Sequence, residues 1–190
     1  IPADLITIVD DECGQINVVS ALPNAFTCAN VGPNTVTVEY NDGHGNTTTC
    51  TSIVTVVDNT APAIYCQAVY NLYLDGSGSG SISVANVTYA PSTDACGIAS
   101  QVLSQTAFDC SHIGSNNVVL TVTDVNGNIS ECTVEIEVID NLAPVLTCPA
   151  AGSVTLDANG VHVFATADFP GLTASDNCVA VTLSYAPAIA

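Results

Sequence analysis

Neither lysine nor arginine occurs in the 190 residues of this chain, although it carries 18 aspartates and glutamates. With the two bases near 11% in ordinary proteins, a chance absence is on the order of one in a billion. A net charge of −18 excludes a phosphate-backbone binder, because nothing here displaces counterions. It also excludes a polybasic membrane anchor, an arginine clamp and a Schiff-base lysine. Lys–Asn isopeptide cross-links, one means of stiffening surface pilins, are impossible. Methionine and tryptophan are missing too, and no apolar run approaches the roughly 20 residues that a membrane helix needs.

What remains is a folding composition. Hydrophobic residues make up 48% and charged residues only 9%, which argues against the disorder that acidity alone would suggest. The apolar residues are mainly Val, Ile, Ala and Leu, with many Thr, and such β-branched enrichment points to strands. Nine cysteines point to an oxidising, extracellular compartment. No leader is visible and no Met begins the chain, so it reads as a processed mature protein or part of one.

Internal repetition organises the sequence. Cys28, Cys50, Asp42 and Asp58-Asn59 recur 82 residues later as Cys110, Cys132, Asp124 and Asp140-Asn141. Cys66 and Cys96 recur at the same offset as Cys148 and Cys178, while Cys13 and Cys96 differ from it by one residue. A complete unit runs over residues 63–144. In it Val118, Leu120 and Val122 alternate with Thr121 and Thr123, and Cys132, Val134, Ile136 and Val138 alternate with Glu135 and Glu137. Two alternating runs around Asp124-Val125-Asn126-Gly127-Asn128 predict a hairpin, and Val36 to Tyr40 repeats the first run in register. Leu74 to Gly78 and Leu156 to Gly160 are equivalent turns. Without any sustained helical period, about seven short strands per repeat predict an all-β fold of tandem immunoglobulin-like sandwiches.

Asp94-Ala95-Cys96-Gly97, Phe108-Asp109-Cys110, the turn Thr123 to Asn128 and Val57 to Pro62 resemble hyalin-repeat (HYR-like) modules. These are immunoglobulin-like repeats that occur in tandem in large bacterial surface and adhesin-like proteins. The resemblance covers nearly the whole chain. It implies a sandwich fold, an extracellular adhesive or structural role, and no catalysis.

Residues 1–62 match the repeat from about Val84 onward, lacking its first strand, and residues 145–190 match only its part from Ala63 to Phe108. The expectation is one incomplete, one complete and one incomplete sandwich. Missing strands leave open edges that demand cover. Head-to-tail complementation between copies of the chain would provide it and generate a pilus-like bacterial filament. The alternative is a fragment of a longer adhesin whose repeats bind glycan or protein.

All nine cysteines are candidates for disulfides. Either Cys66 pairs with Cys132 and Cys96 with Cys110, so that Cys13 takes Cys28 and Cys50 awaits Cys148 of a neighbour. Or Cys66 pairs with Cys96 and Cys110 with Cys132, so that Cys148–Cys178 and Cys28–Cys50 close locally and Cys13 is spare. Zinc is the weaker reading, since no close CxxC pair occurs. Carboxylates at turns suggest Ca²⁺ at the repeat junctions: Asp58, Asp94, Asp124 and Asn126 at one, Asp140 and Asp176 at the next, joined by Asp42 of a neighbour. The plain alternative is that Asp and Asn favour turns and supply solubility. Asn46, Asn86 and Asn128 fit the N-x-Ser/Thr glycosylation pattern. His44, His112 and His162 form no catalytic motif, and no nucleophile elbow or paired glutamate scaffold appears. Glycan platforms would have to come from Tyr65, Tyr70, Tyr73, Tyr89 or Phe169.

Overall fold

The computed structural model describes residues 17–149, 152–163, 165 and 168–182, and the fold is all-β. Eleven strands follow in order: β1 (Asn17–Leu22), β2 (Gly32–Asn41), β3 (Thr47–Val56), β4 (Val69–Tyr73), β5 (Ser79–Ser81), β6 (Ile98–Leu103), β7 (Ala107–Asp109), β8 (Gly114–Asp124), β9 (Ile129–Ile139), β10 (Val145–Thr147) and β11 (Thr173–Ser175). A single helical turn, α1 (Val84–Val87), and two 3-10 turns at Cys28–Asn30 and Cys110–His112 complete the described elements. The 3-10 turns are themselves repeat equivalents.

The described residues form two compact units. One holds the chain up to Ala63 together with Thr93–Ser100 and Thr123–Ser130, and the other holds the remainder. Two loops of the second repeat thus belong to the same unit as the first repeat.

The complete repeat is a sandwich. Its four-stranded sheet has the order β4-β9-β8-β6, and a two-stranded sheet pairs β5 with β7. β8 and β9 alternate as expected: Val118, Leu120, Val122, Val134, Ile136 and Val138 are all buried, and their neighbours are not. Leu72, Leu74, Ile82, Val87 and Phe108 add to the same core. Gly80 of β5 shows how tightly the two sheets meet, since a Cβ there would lie 3.2 Å from the side chains of Leu72 and Leu74. On the outer face, the hydroxyls of Ser115 and Thr121 donate to the carboxylates of Glu135 and Glu131.

β4 lies parallel to β9, with Val69 opposite Glu135, Leu72 opposite Val138 and Tyr73 opposite Ile139. Alternation alone does not reveal that pairing, because period two fixes which face is buried but not which strand lies alongside.

The described residues of the first repeat reproduce three strands of this sheet. β1-β2-β3 corresponds to β6-β8-β9, with Val36 and Val38 buried in place of Val118 and Leu120. Among the described residues nothing occupies the position of β4 beside β3. In the third repeat the short pair β10–β11 reproduces the bridge between Ala63 and Thr93. Residues 152–155, the counterparts of β4, belong to no strand.

Candidate functional site

Nine aspartates share one local device. Asp42, Asp58, Asp75, Asp94, Asp109, Asp124, Asp140, Asp157 and Asp176 each accept a hydrogen bond from the backbone N–H two residues further on. This Asx turn lets a short carboxylate replace a backbone acceptor and reverse the chain. The hairpin between β8 and β9 shows it in full. Asp124 Oδ1 accepts from the N–H groups of Asn126 and Asn128, and Asp124 Oδ2 from the Asn128 side-chain amide. Asp42 and Asn46 repeat every one of these bonds between β2 and β3.

The Asn128 amide also reaches the carbonyl of Asp58, 3.2 Å away, and the Ser130 hydroxyl bonds the carbonyl of Pro62 at 2.7 Å. The linker after β3 is thereby fixed against the β8–β9 turn. Val125 N–H donates to Gly97 at 3.1 Å, which adds the loop carrying Asp94 and Cys96. In this setting Asp58, Asp94 and Cys96 present ligand atoms that all lie within 4.8 Å of one another, the one such group of three among the described residues.

Two polar atoms here lack a partner. Asp58 Oδ2 and Asn126 Oδ1 are buried, yet no protein group donates to either. A buried carboxylate oxygen next to a second carboxylate is costly unless a donor or cation faces it. Cys96 cannot serve as a thiolate ligand, because its sulfur is bonded to Cys28.

The second junction gives its linker aspartate a side-chain donor, Asn177, although the Oδ1 of that donor is itself buried without a partner. Asn177 stands where the first junction has Ala95, and its amide donates to Asp140 Oδ1 at 3.1 Å. Asp140, the counterpart of Asp58, therefore has a side-chain donor that Asp58 lacks. Asp176 accepts from the N–H groups of Cys178 and Val179. Of the residues expected to ligate Ca²⁺, Asp58 and Asp94 come together. Asn126 offers an unpartnered oxygen on the adjoining turn, while Asp124 and Asp42 are committed to their own hairpins.

The cysteines differ from both expected schemes. Cys66 pairs with Cys132, as in the first of them, but Cys96 and Cys110 do not pair with each other. Instead Cys28 joins Cys96 and Cys110 joins Cys178. These two bonds are the same bond displaced by one repeat, each with a sequence separation of 68. Each ties the 3-10 turn of one repeat to the Asp-x-Cys loop of the next. Both schemes closed this pair within one repeat, whereas the Asx turn at Asp94 presents Cys96 to the preceding repeat. The clue in the sequence was the equal spacing of Cys28 to Cys96 and Cys110 to Cys178. Gly78 explains one local demand of the bond. It has φ +73°, and a Cβ on it would stand 2.5 Å from the sulfur of Cys110 and 2.7 Å from the carbonyl oxygen of Asn177. Cys50 and Cys148 are free and exposed, so they are not in disulfides here. Cys13 lies outside the described residues.

The sequon amides are all engaged: Asn46 with Asp42, Asn128 with Asp124 and Asp58, and Asn86 with the Tyr70 hydroxyl. His112 and His162 lie beside Asp109 and Asp168 at 2.8 and 2.9 Å, and the His44 backbone N–H donates to Asp42 in its turn. Tyr70 and Tyr73 lie on β4, and Tyr65 meets Tyr89 edge to face with centroids 5.9 Å apart. Phe169 lies in the third repeat.

No family model matches the chain. Hyalin from Strongylocentrotus purpuratus is 31% identical over 176 residues, which cover 88% of this chain and 14% of hyalin. The chain thus spans about one seventh of that curated relative. The crystal structure of protocadherin gamma C5 EC1-3 aligns with 63% of this chain and 47% of its own, at 12% identity and a TM-score of 0.32. The likeness to hyalin supports an HYR-like, immunoglobulin-like module. Three disulfides among the described residues fit an oxidising compartment, and the chain is extracellular. No helix among the described residues is long and apolar enough to cross a membrane.

Asp124 supplies a pH test. Burial pushes its carboxyl up, but the Asn128 amide and the N–H groups of Asn128 and Asn126 outweigh that and hold it below its ordinary 3.8. A depressed carboxyl stabilises the fold above its unfolded value, and this stabilisation is lost as pH falls through the folded value. Thermal melts should therefore show stability falling below about pH 3.8, and Asp124→Asn should flatten that acid limb. An equally steep limb in the variant would contradict the assignment.

Proposed function

We propose that this chain is a structural, non-enzymatic subunit of an extracellular filament, joined head to tail by strand complementation between copies. The observation that carries this reading is the sheet β1-β2-β3, which matches β6-β8-β9 of the complete repeat and, among the described residues, has no strand in the place of β4. The third repeat carries the counterpart of β4 in residues 152–155, outside any strand. An edge in need of a strand and a strand in need of an edge sit on opposite repeats of one polypeptide. A contact of that kind is heterologous, and it propagates when it does not close. Homophilic contact with copies of itself is thus the partnership we favour.

The match to a small share of hyalin favours a second reading, in which the chain is part of a longer adhesive repeat array. The neighbouring repeat of the same polypeptide would then supply the strand. Electron microscopy of the purified 190-residue chain separates the two. Filaments with a regular axial repeat are expected, and dispersed monomers at every concentration tested would reject head-to-tail assembly.

Calcium belongs to the same proposal. Asp58, Asp94 and Asn126 would hold it, with water and backbone oxygens completing the six to eight ligands that Ca²⁺ takes. The ion would neutralise the paired carboxylates and brace the linker at Asp58. Support comes from the unpartnered oxygens of Asp58 and Asn126 and from the amide that fills this role at Asp140. Calcium should raise the melting temperature relative to chelator in the wild type. Ala95→Asn, which copies the second junction, should make it insensitive. Identical melts of the wild type with calcium and with chelator would remove the metal from the account.

A further inference from the structure

β3 is the repeat counterpart of β9, yet its outer face has changed character. β9 carries Glu131, Glu135 and Glu137, and the corresponding residues of β3 are Thr49, Ile53 and Thr55. No acidic residue lies anywhere in Thr47–Val57, within a chain of net charge −18. Ile53 and Val57 are largely exposed, and so is the free thiol of Cys50.

The segment Cys148–Leu156 is uncharged as well. Its apolar residues lie open where their counterparts are buried: Val154 is 39% and Leu156 59% exposed, against 6% for Leu72 and 3% for Leu74. Cys148, the counterpart of Cys66, is free and exposed. In a subunit that repels its own kind, two uncharged segments are the ones that can meet without added repulsion.

We infer that β3 of one copy receives the segment Gly152–Thr155 of a second copy as a parallel strand, and that a Cys50–Cys148 disulfide locks the contact. This rests on the head-to-tail reading above and adds its register and its covalent bond. The complete repeat supplies both. Tyr70 faces Ile136, Asn71 faces Glu137, Leu72 faces Val138 and Tyr73 faces Ile139, while Cys66 is bonded to Cys132. Displaced by one repeat in each direction, these relations place Gly152 beside Val54, Ser153 beside Thr55, Val154 beside Val56 and Thr155 beside Val57. The same displacement brings Cys148 to Cys50. Val154 and Leu156 then enter the core as Leu72 and Leu74 do in the complete repeat.

The bond forms by thiol–disulfide exchange with a low-molecular-weight disulfide such as oxidised glutathione. Two thiols give up two protons and two electrons, and the oxidant leaves as two thiols.

The test uses the full chain with oxidised glutathione and two single variants, Cys50→Ser and Cys148→Ser. Both side chains are exposed, so neither change burdens the fold. On non-reducing denaturing gels the wild type should give a ladder of multiples that collapses on reduction. Neither variant alone should give it, and their equimolar mixture should stop at a covalent dimer. Cleavage at acidic residues (trypsin has no site here) should release one joined peptide pair containing Cys50 and Cys148.

A ladder that persists in Cys148→Ser, or a mixture without dimer, overturns the inference. Sedimentation without denaturant distinguishes this from failure of the reading beneath it. Non-covalent polymers lacking the Cys50–Cys148 link would leave complementation standing and sink the lock. Monomers alone would sink both.

Discussion

Carboxylates without cationic side chains set the terms of this structure. Negative charge in a folded chain must be left in water, met by a cation or held by dipoles, and here no lysine or arginine is present to meet it. The backbone takes over. Each Asx turn places an aspartate where an N–H group points at it, and all but those at Asp94 and Asp157 fall at the C-terminal ends of strands. The carboxyls of Asp42, Asp75, Asp109 and Asp157 are held below their ordinary range chiefly by bonds from nearby side chains and backbone N–H groups. Charge and topology are thus coupled through the same atoms. The glutamates of β2 and β9 sit differently, within strands, where Ser115 and Thr121 answer two of them.

The disulfides follow from that arrangement. The Asx turn at Asp94 presents Cys96, and the one at Asp109 opens the 3-10 turn that begins with Cys110. Since equivalents of both motifs occur in neighbouring repeats, a bond from one repeat to the next can recur along the chain, as it does at Cys28–Cys96 and Cys110–Cys178. Loops of this length lose conformational freedom worth roughly 4 kcal/mol per bond in the unfolded chain on the entropic account. Cys66–Cys132, by contrast, closes the complete repeat on itself beside the parallel pair β4–β9. One kind of bond holds a module and the other strings modules together.

Much of this was legible in the residues. The period placed β8 on β2 and β9 on β3, and alternation gave the inward positions Val118 through Val138 because one face of a sandwich must be dry. Asp-x-Asn-Gly-Asn marked the hairpin because few residue types fit its positive-φ glycine, Gly127 at +92°. The parallel partner of β9 was not legible, since pairing depends on chain path. Cys66–Cys132 was among the expected pairings, whereas Cys28–Cys96 and Cys110–Cys178 were in neither scheme, because the loops at Thr93–Ser100 and Thr123–Ser130 are built into the unit of the repeat before. One residue difference between the two junctions, Ala95 against Asn177, decides whether the linker aspartate has a side-chain donor. Its meaning appears only when the Asn177 amide is seen against Asp140.

Disulfide connectivity tests the central claim, that covalent bonds run from repeat to repeat, most directly. Free thiols would be blocked, the oxidised chain cleaved at acidic residues, and the joined peptides identified by mass spectrometry. The account predicts Cys28 with Cys96, Cys110 with Cys178, and Cys66 with Cys132. A peptide pair joining Cys96 to Cys110, which would close each repeat on itself, would contradict it.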